Sequence, residues 1–488
     1  MAEINGNSSE KNISGECIPY RISTNESYGL HMVASRNLPS GTVILLEKPL
    51  MVGPLPYSSP ICLGCNDNIE ESTMSRCPRC HWPLCSEECS DSKLHAEECH
   101  ILSKDVDKIW VPKNLEPTAC NGLIMILRCL LLRSSNPEIF INILSMVSNV
   151  RSENRKQDPD DNLCDIVEYL ESCGFENDVV CEVDGVLNSN GVTIKSNRGV
   201  NIFALYKLHR IINHSCVPNV QLTSLQGDVL EIRTTMDISE NQQIFATYLE
   251  TTVPLWERTI GLKTHYCFDC TCFRCADSTE IGTHYSSASC FNCPDKFLIP
   301  KHDLEELHWK CNSCDATQTL GEAKAKMNKL LEETETWDNP SPEEILSLLN
   351  KTEKIFHSHH YIWMKIADIG LRYLRRMEAT TKGHLLQSEL LTHLLEVYNV
   401  FEPGLTRRRA FIHKRCIIIK QQKSQYENCE DIILPNALYR ARESVNMFTD
   451  AAVILMLEQE TSRSAKLGSI AKQKLQVAQD LLESIRCR

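Results

Sequence analysis

The chain has 488 residues, with 51 Lys and Arg against 64 Asp and Glu, for a formal net charge of −13 at pH 7. That length exceeds what one hydrophobic core serves, so two or three packed modules are expected; the acidic balance argues against direct nucleic-acid binding and suits a basic peptide. The first fourteen residues are polar with no apolar core of signal-peptide length, and the apolar stretches near 122–132 and 451–457 are too short to span a bilayer, the first being interrupted by Arg128. A soluble chain with no membrane partner is expected.

In chain order, Tyr28-Gly29-Leu30 precedes a strand-like Thr42-Val-Ile-Leu-Leu46, and glycine there permits positive φ and close backbone approach to a ligand. Next come Cys62-x2-Cys65, Cys77-x2-Cys80, Cys85-x3-Cys89 and His95-x3-Cys99, seven cysteines and one histidine that complete two tetrahedral zinc sites. So little apolar sequence lies between them that metal would hold this segment folded. With many of its 25 cysteines in CxxC pairs and no secretory signal ahead of them, the chain points to zinc and not to disulfides. Leu123, Ile126, Leu127, Leu130 and Leu131 then recur at helical spacing, followed by the charged, turn-rich 151–161.

A polar string, Asn213-His-Ser-Cys-Val-Pro-Asn219, sits between apolar Ile202-Phe-Ala-Leu-Tyr206 and strand-like Val229-Leu-Glu-Ile-Arg233. Asn213 and His214 are either satisfied buried polar groups or part of a ligand pocket. Gln243-Ile-Phe-Ala-Thr-Tyr248 alternates like a strand and ends in tyrosine. Cys216 together with Cys267, Cys270, Cys272 and Cys275 offers one thiolate more than a single tetrahedral zinc can use. Cys290-x2-Cys293 and Cys311-x2-Cys314 follow at zinc-ribbon spacing, a structural fourth site or a pair of reduced cysteine turns. Amphipathic helices take over beyond them, the first opening on Ser341-Pro-Glu-Glu344 as N-cap, N1 proline and capping box, with further runs at 360–377, 385–397, 436–457 and 465–485. Arg407-Arg-Arg409 reads as a solvated helical face or a nuclear signal.

The order and spacing of these motifs resemble the SET and MYND family of protein-lysine methyltransferases, over residues 17–276, and within it the arthropod SmydA-like branch. The resemblance implies an α+β fold: a disordered N-terminus (1–16), a β-rich SET domain (17–61 and 201–264) with an inserted MYND zinc finger (62–99) and a helical insert (105–200), a post-SET zinc segment (265–276), a candidate zinc ribbon (290–314) and an all-α, tetratricopeptide-like C-terminal array (322–488). It assigns Cys62, Cys65, Cys85 and Cys89 to one zinc, Cys77, Cys80, His95 and Cys99 to a second, and Cys216, Cys270, Cys272 and Cys275 to a third, leaving Cys267 outside. Tyr248 is implied beside the transferred methyl, Tyr266 in the lysine channel, and Tyr28, Gly29, Asn149, Asn190, Asn213, His214 and Phe268 around S-adenosylmethionine. Ser27, Val192, Ser92 and Glu240-Asn-Gln-Gln243 depart from the family pattern.

Methyl transfer to an amine needs in-line positioning and a neutral lysine, not a nucleophilic side chain. The expected function is methylation of histone or non-histone lysines by a monomer of nucleus and cytoplasm, with a part in regulating transcription. The alternative is a catalytically weak adaptor that recruits transcriptional co-repressors through its zinc finger; Ser27, Val192 and the altered turn favour it, while the complete NHSC motif and the tyrosines favour the enzyme.

Overall fold

The computed structural model describes residues 18–426, apart from 57, 70, 71, 73, 105–119, 149–162, 197, 303–306, 378 and 379. Asn149, the turn-rich 151–161, most of the N-terminal segment and the helical runs at 436–457 and 465–485 lie outside the described residues. The fold is α+β, with small sheets in the first 320 residues and helices beyond.

The first core is β-rich. The hairpin Tyr20–Asn25 and Gly29–Ala34, the sheet of Val43–Glu47, Leu230–Thr234 and Val220–Ser224, and the sheet of Met51–Pro54, Asn201–Leu205 and Val192–Lys195 enclose Met32, Ile44, Ile202, Tyr206, Ile232 and Ile244. Within it the sequence overestimates one strand. Of 243–248 only Phe245–Ala246 is a strand, paired in parallel with Asn213–His214. Its neighbours bond elsewhere: Ile244 N–H donates to Met32 O, Phe245 N–H to the Asn219 side-chain carbonyl, and Asn219 Nδ2 to Gln243 O. The segment is therefore threaded between two distant parts of the chain, which uses up its backbone groups without a regular ladder.

The second core joins the cysteine-rich segment to the helices Cys120–Ser135, Pro137–Leu144, Leu163–Ser172 and Asn177–Asn190 around Trp82, Leu84, Leu123, Leu127 and Ile143. The charge that interrupts the apolar run at 122–132 is its fastener. Buried Arg128 forms a two-armed pair with fully buried Glu98 (2.8 and 3.0 Å) and donates to Leu63 O, Asn66 Oδ1 and Val52 O, tying the finger to the β-rich core through one guanidinium.

The third core runs from a four-stranded antiparallel sheet (Ala288–Ser289, Phe297–His302, Leu307–Cys311, Thr317–Thr319) into the helices Leu320–Glu335, Pro342–Glu353, Tyr361–Leu374, Thr381–Phe401 and Arg407–Tyr426. Ser341 and Glu344 form the capping box that their spacing predicts. In the Arg407–Arg409 run Arg407 is exposed, but Arg408 pairs with Glu250 and Glu402, and Arg409 with Asn399 and Gly404 O, because the preceding loop is docked on the β-rich core. Gly404 makes this docking possible, since a Cβ there would lie 1.9 Å from Thr235 O. No helix among the described residues is long and apolar enough to cross a membrane.

Candidate active site and metal centres

The threaded segment delivers Tyr248 to the meeting point of three elements. Tyr248 N–H donates to His214 Nδ1 (3.0 Å) and its hydroxyl donates to Ile212 O (3.0 Å). A backbone amide only donates, so His214 Nδ1 accepts and the ring proton sits on Nε2, facing Cys216 Sγ at 3.3 Å. Burial pushes His214 down to about 4, so the ring is neutral near neutral pH and holds this tautomer.

Aromatic rings close around Tyr248. Tyr266, at the end of the helix Leu255–Tyr266, lies with its ring centroid 4.9 Å away, and Phe268 stands edge-on at 6.4 Å and 6.0 Å from His214. The turn between Tyr266 and Phe268 is made by Cys267, which is left-handed (φ 58°) and exposed. Burial holds both phenols above their ordinary range, so neither is a base at neutral pH.

A cavity of about 680 Å³ opens beside this cluster, lined by Tyr248, Tyr266, Asn190, Glu250, Thr251 and, from the helical array, Glu402 and Thr406. Asn213, Tyr28, Gly29 and Phe268 do not line it. On their side Asn213 Nδ2 donates to Tyr28 O (3.1 Å), and Gly29 is left-handed (φ 60°) with open space where a Cβ would stand. Gly29, and not Ser27, carries the positive φ, so the serine in the Gly-x-Gly position introduces no backbone strain. Asn190 spends both amide hydrogens on Val147 O and Val186 O (2.8 Å each), which leaves its carbonyl for any ligand.

Four ligand groups stand as metal sites: Cys62, Cys65, Cys85 and Cys89; Cys77, Cys80, His95 and Cys99; Cys216, Cys270, Cys272 and Cys275; Cys290, Cys293, Cys311 and Cys314. Thiolates around a tetrahedral zinc at about 2.3 Å stand about 3.8 Å apart. The observed sulfur separations fit that: 3.5 Å for Cys65 and Cys85, 3.6 Å for Cys77 and Cys99, 3.4 Å for Cys216 and Cys275, 3.7 Å for Cys290 and Cys314. The donor sets are those of structural zinc, closed and sulfur-rich.

Sequence reasoning missed the charges around the third group. Four thiolates on one Zn2+ leave a net charge of −2, and fully buried Arg258 reaches Cys275 Sγ at 3.8 Å. Glu280, fully buried, takes up Arg258 (2.8 Å) and Arg274 (2.9 Å); although burial opposes ionisation, the two guanidiniums hold its carboxyl below the usual range. Arg274 donates to Thr251 O (2.6 Å) and lies 3.3 Å over the Phe401 ring, linking cysteine cluster, cleft wall and helical array. No short-range pattern announces this network, because its members come from three separate segments.

The SET domain family model matches residues 29–249, and the SET domain-containing protein SmydA-8, isoform A, of Drosophila melanogaster is 27% identical over 318 residues, 61% of this chain. Residues 29–249 thus carry a SET domain, and the chain is similar to SET and MYND proteins. The match spans 65% of that SmydA-8 isoform's own length. The histone-lysine N-methyltransferase ASHR1 of Arabidopsis thaliana is 24% identical over 397 residues, 72% of this chain and 77% of the relative. The N-lysine methyltransferase SMYD2 of Homo sapiens is 30% identical over 109 residues, 22% of this chain and 25% of the relative. Besides the two finger groups and the group around Cys216, the chain carries a four-cysteine group in a sheet that the helical array packs on.

Proposed function

We propose that this protein is an S-adenosylmethionine-dependent protein-lysine N-methyltransferase. The observation that carries the reading is the position of Tyr248: its amide is fixed by His214, its ring is packed on Tyr266, and it borders a cleft, while Phe268 beside it and the Asn213–Tyr28 pair lie outside that cleft's lining. A cofactor and a substrate can therefore occupy separate places around one point, as in-line transfer requires.

The residues present suit the cofactor. An open left-handed backbone turn at Gly29, a side-chain amide at Asn213 and the ring of Phe268 offer close approach, a hydrogen bond and a stacking face. Bound there, S-adenosylmethionine supplies an electrophilic methyl group. The chain's own part is to hold the lysine. Tyr248 and Tyr266 form an apolar, aromatic channel that favours the uncharged amine, and their hydroxyl oxygens can accept a hydrogen bond from it. Glu250 and Glu402 at the cleft share the single cation Arg408, and the negative charge left over suits a basic residue flanking that lysine.

Histone and non-histone proteins both meet this description, and the names of ASHR1 and SMYD2 support lysine as the acceptor. Action in nucleus and cytoplasm, with a part in transcription, extends the same reading. The finger is less suited to recruit co-regulators: Ser92, which departs from the family pattern, is the N-cap of the helix Lys93–Leu102, accepting from His95 N–H, and so serves the fold.

Calorimetry with S-adenosylmethionine, followed by transfer of labelled methyl to core histones and to lysine-rich peptides, tests the proposal. Saturable binding lost in Asn213→Ala and label incorporation lost in Tyr248→Phe are expected. Binding or transfer that survives both substitutions would overturn the assignment of this site.

A further inference from the structure

Outside the four cysteine groups, His359, His393 and Glu396 bring three ligand atoms within 4.8 Å of one another. His359 lies just before the helix Tyr361–Leu374, while His393 and Glu396 are three residues apart on the helix Thr381–Phe401 and so share a face. His359 Nε2 stands 3.0 Å from Glu396 Oε2. That contact alone would make an ordinary ion pair, but it leaves His393 unexplained. The His393 ring lies 4.7 Å from His359 and 4.5 Å from Trp363, and its Nε2 is buried without a hydrogen-bond partner. Buried polar atoms without partners are uncommon and need a reason.

Three further features point to a cation. The ring of His393 lies in the field of Glu396, Glu353 and Glu389. The His359 backbone is fixed, its amide N–H donating to His357 Nδ1 (3.0 Å), and His357 is stacked in turn on His284 at 5.0 Å. The site is reachable, because the Glu396 side chain is half-exposed.

We propose that His359, His393 and Glu396 bind a divalent transition-metal ion of the zinc class, as a fifth metal site distinct in chemistry from the other four. Two imidazoles and a carboxylate make a borderline N2O donor set, preferred by Zn2+, Co2+ or Ni2+ over Ca2+ or Mg2+. Three protein ligands leave a fourth position for water, so the ion is exchangeable where the cysteine groups are closed. It joins the segment leading into the helix Tyr361–Leu374 to the helix Thr381–Phe401.

The test uses the full chain with its cysteine groups filled by zinc, titrated with Co2+ as the probe. One Co2+ per chain is expected, with weak visible bands and no thiolate-to-cobalt charge transfer. Glu396→Gln, on the half-exposed edge, should weaken binding by at least about tenfold, and His359→Ala with His393→Ala should abolish it while zinc content stays unchanged. No Co2+ uptake, uptake carrying thiolate charge transfer, or uptake unchanged in Glu396→Gln and the double variant would each overturn the proposal.

Discussion

The finger and the post-SET group both hold metal through cysteine, yet they stand in opposite relations to the candidate active site. All eight finger ligands lie within residues 62–99, the finger is anchored through Glu98 and Arg128, and none of its residues lines the cleft. The post-SET group draws Cys216 from one segment and three cysteines from another 54 residues on, and Cys216 touches the histidine that fixes Tyr248. Metal in the first place stabilises a module; in the second it also positions a reactive centre.

The sharpest way to break this contrast is a matched pair of substitutions. Cys272→Ser is expected to release one zinc and lower methyl transfer at least about a hundredfold, whereas Cys77→Ser should release zinc from the finger and leave transfer in the same order of magnitude. Metal analysis beside a transfer assay checks both, and equal losses would show that the two centres are not separable. Tyr248→Phe comes next: about a hundredfold loss of turnover from misplacement, with four zincs retained.

Removing the fastener should act on stability instead. Arg128→Ala leaves buried Glu98 with only the longer contact to His95 Nδ1 (3.5 Å), for a cost of about 3 kcal/mol, read as earlier unfolding of the finger and insert in denaturant while the helical array keeps its own transition. Last and smallest is an acid effect. Burial pushes His209 down to about 4, below its value of about 6.5 in the unfolded chain. Between those two values the unfolded chain binds more protons, so His209 withdraws stability as pH falls from about 6.5 to 4. Melting of wild type against His209→Gln over that range should show a shallower decline in the variant.

How much of this was legible beforehand follows the range of the interactions. The finger ligands and the Ser341 capping box are local in sequence, and pattern alone finds them. Choosing Cys216, Cys270, Cys272 and Cys275 over Cys267 needed the family resemblance, because five thiols compete and only the left-handed turn at Cys267 turns it to solvent. The strand expected at 243–248 shrank to two residues since its partners, Met32 and Asn219, lie far off in sequence. In the Arg258, Glu280 and Arg274 network and the His359, His393 and Glu396 cluster only the spacings of Arg274 to Glu280 and of His393 to Glu396 are local, and packing brings in the remaining member of each.

The threading of 243–246 between Met32 and Asn213 also governs when the candidate site can assemble during synthesis. Tyr28 and Asn213, which share a hydrogen bond, are 185 residues apart, and Cys275 emerges later still. Closing such loops is slow, and no partial chain shorter than residue 275 can carry the complete arrangement. A nascent chain on the ribosome therefore lacks the assembled site until the cysteines at 270–275 have arrived, and any activity that needs the site waits on this part of the fold.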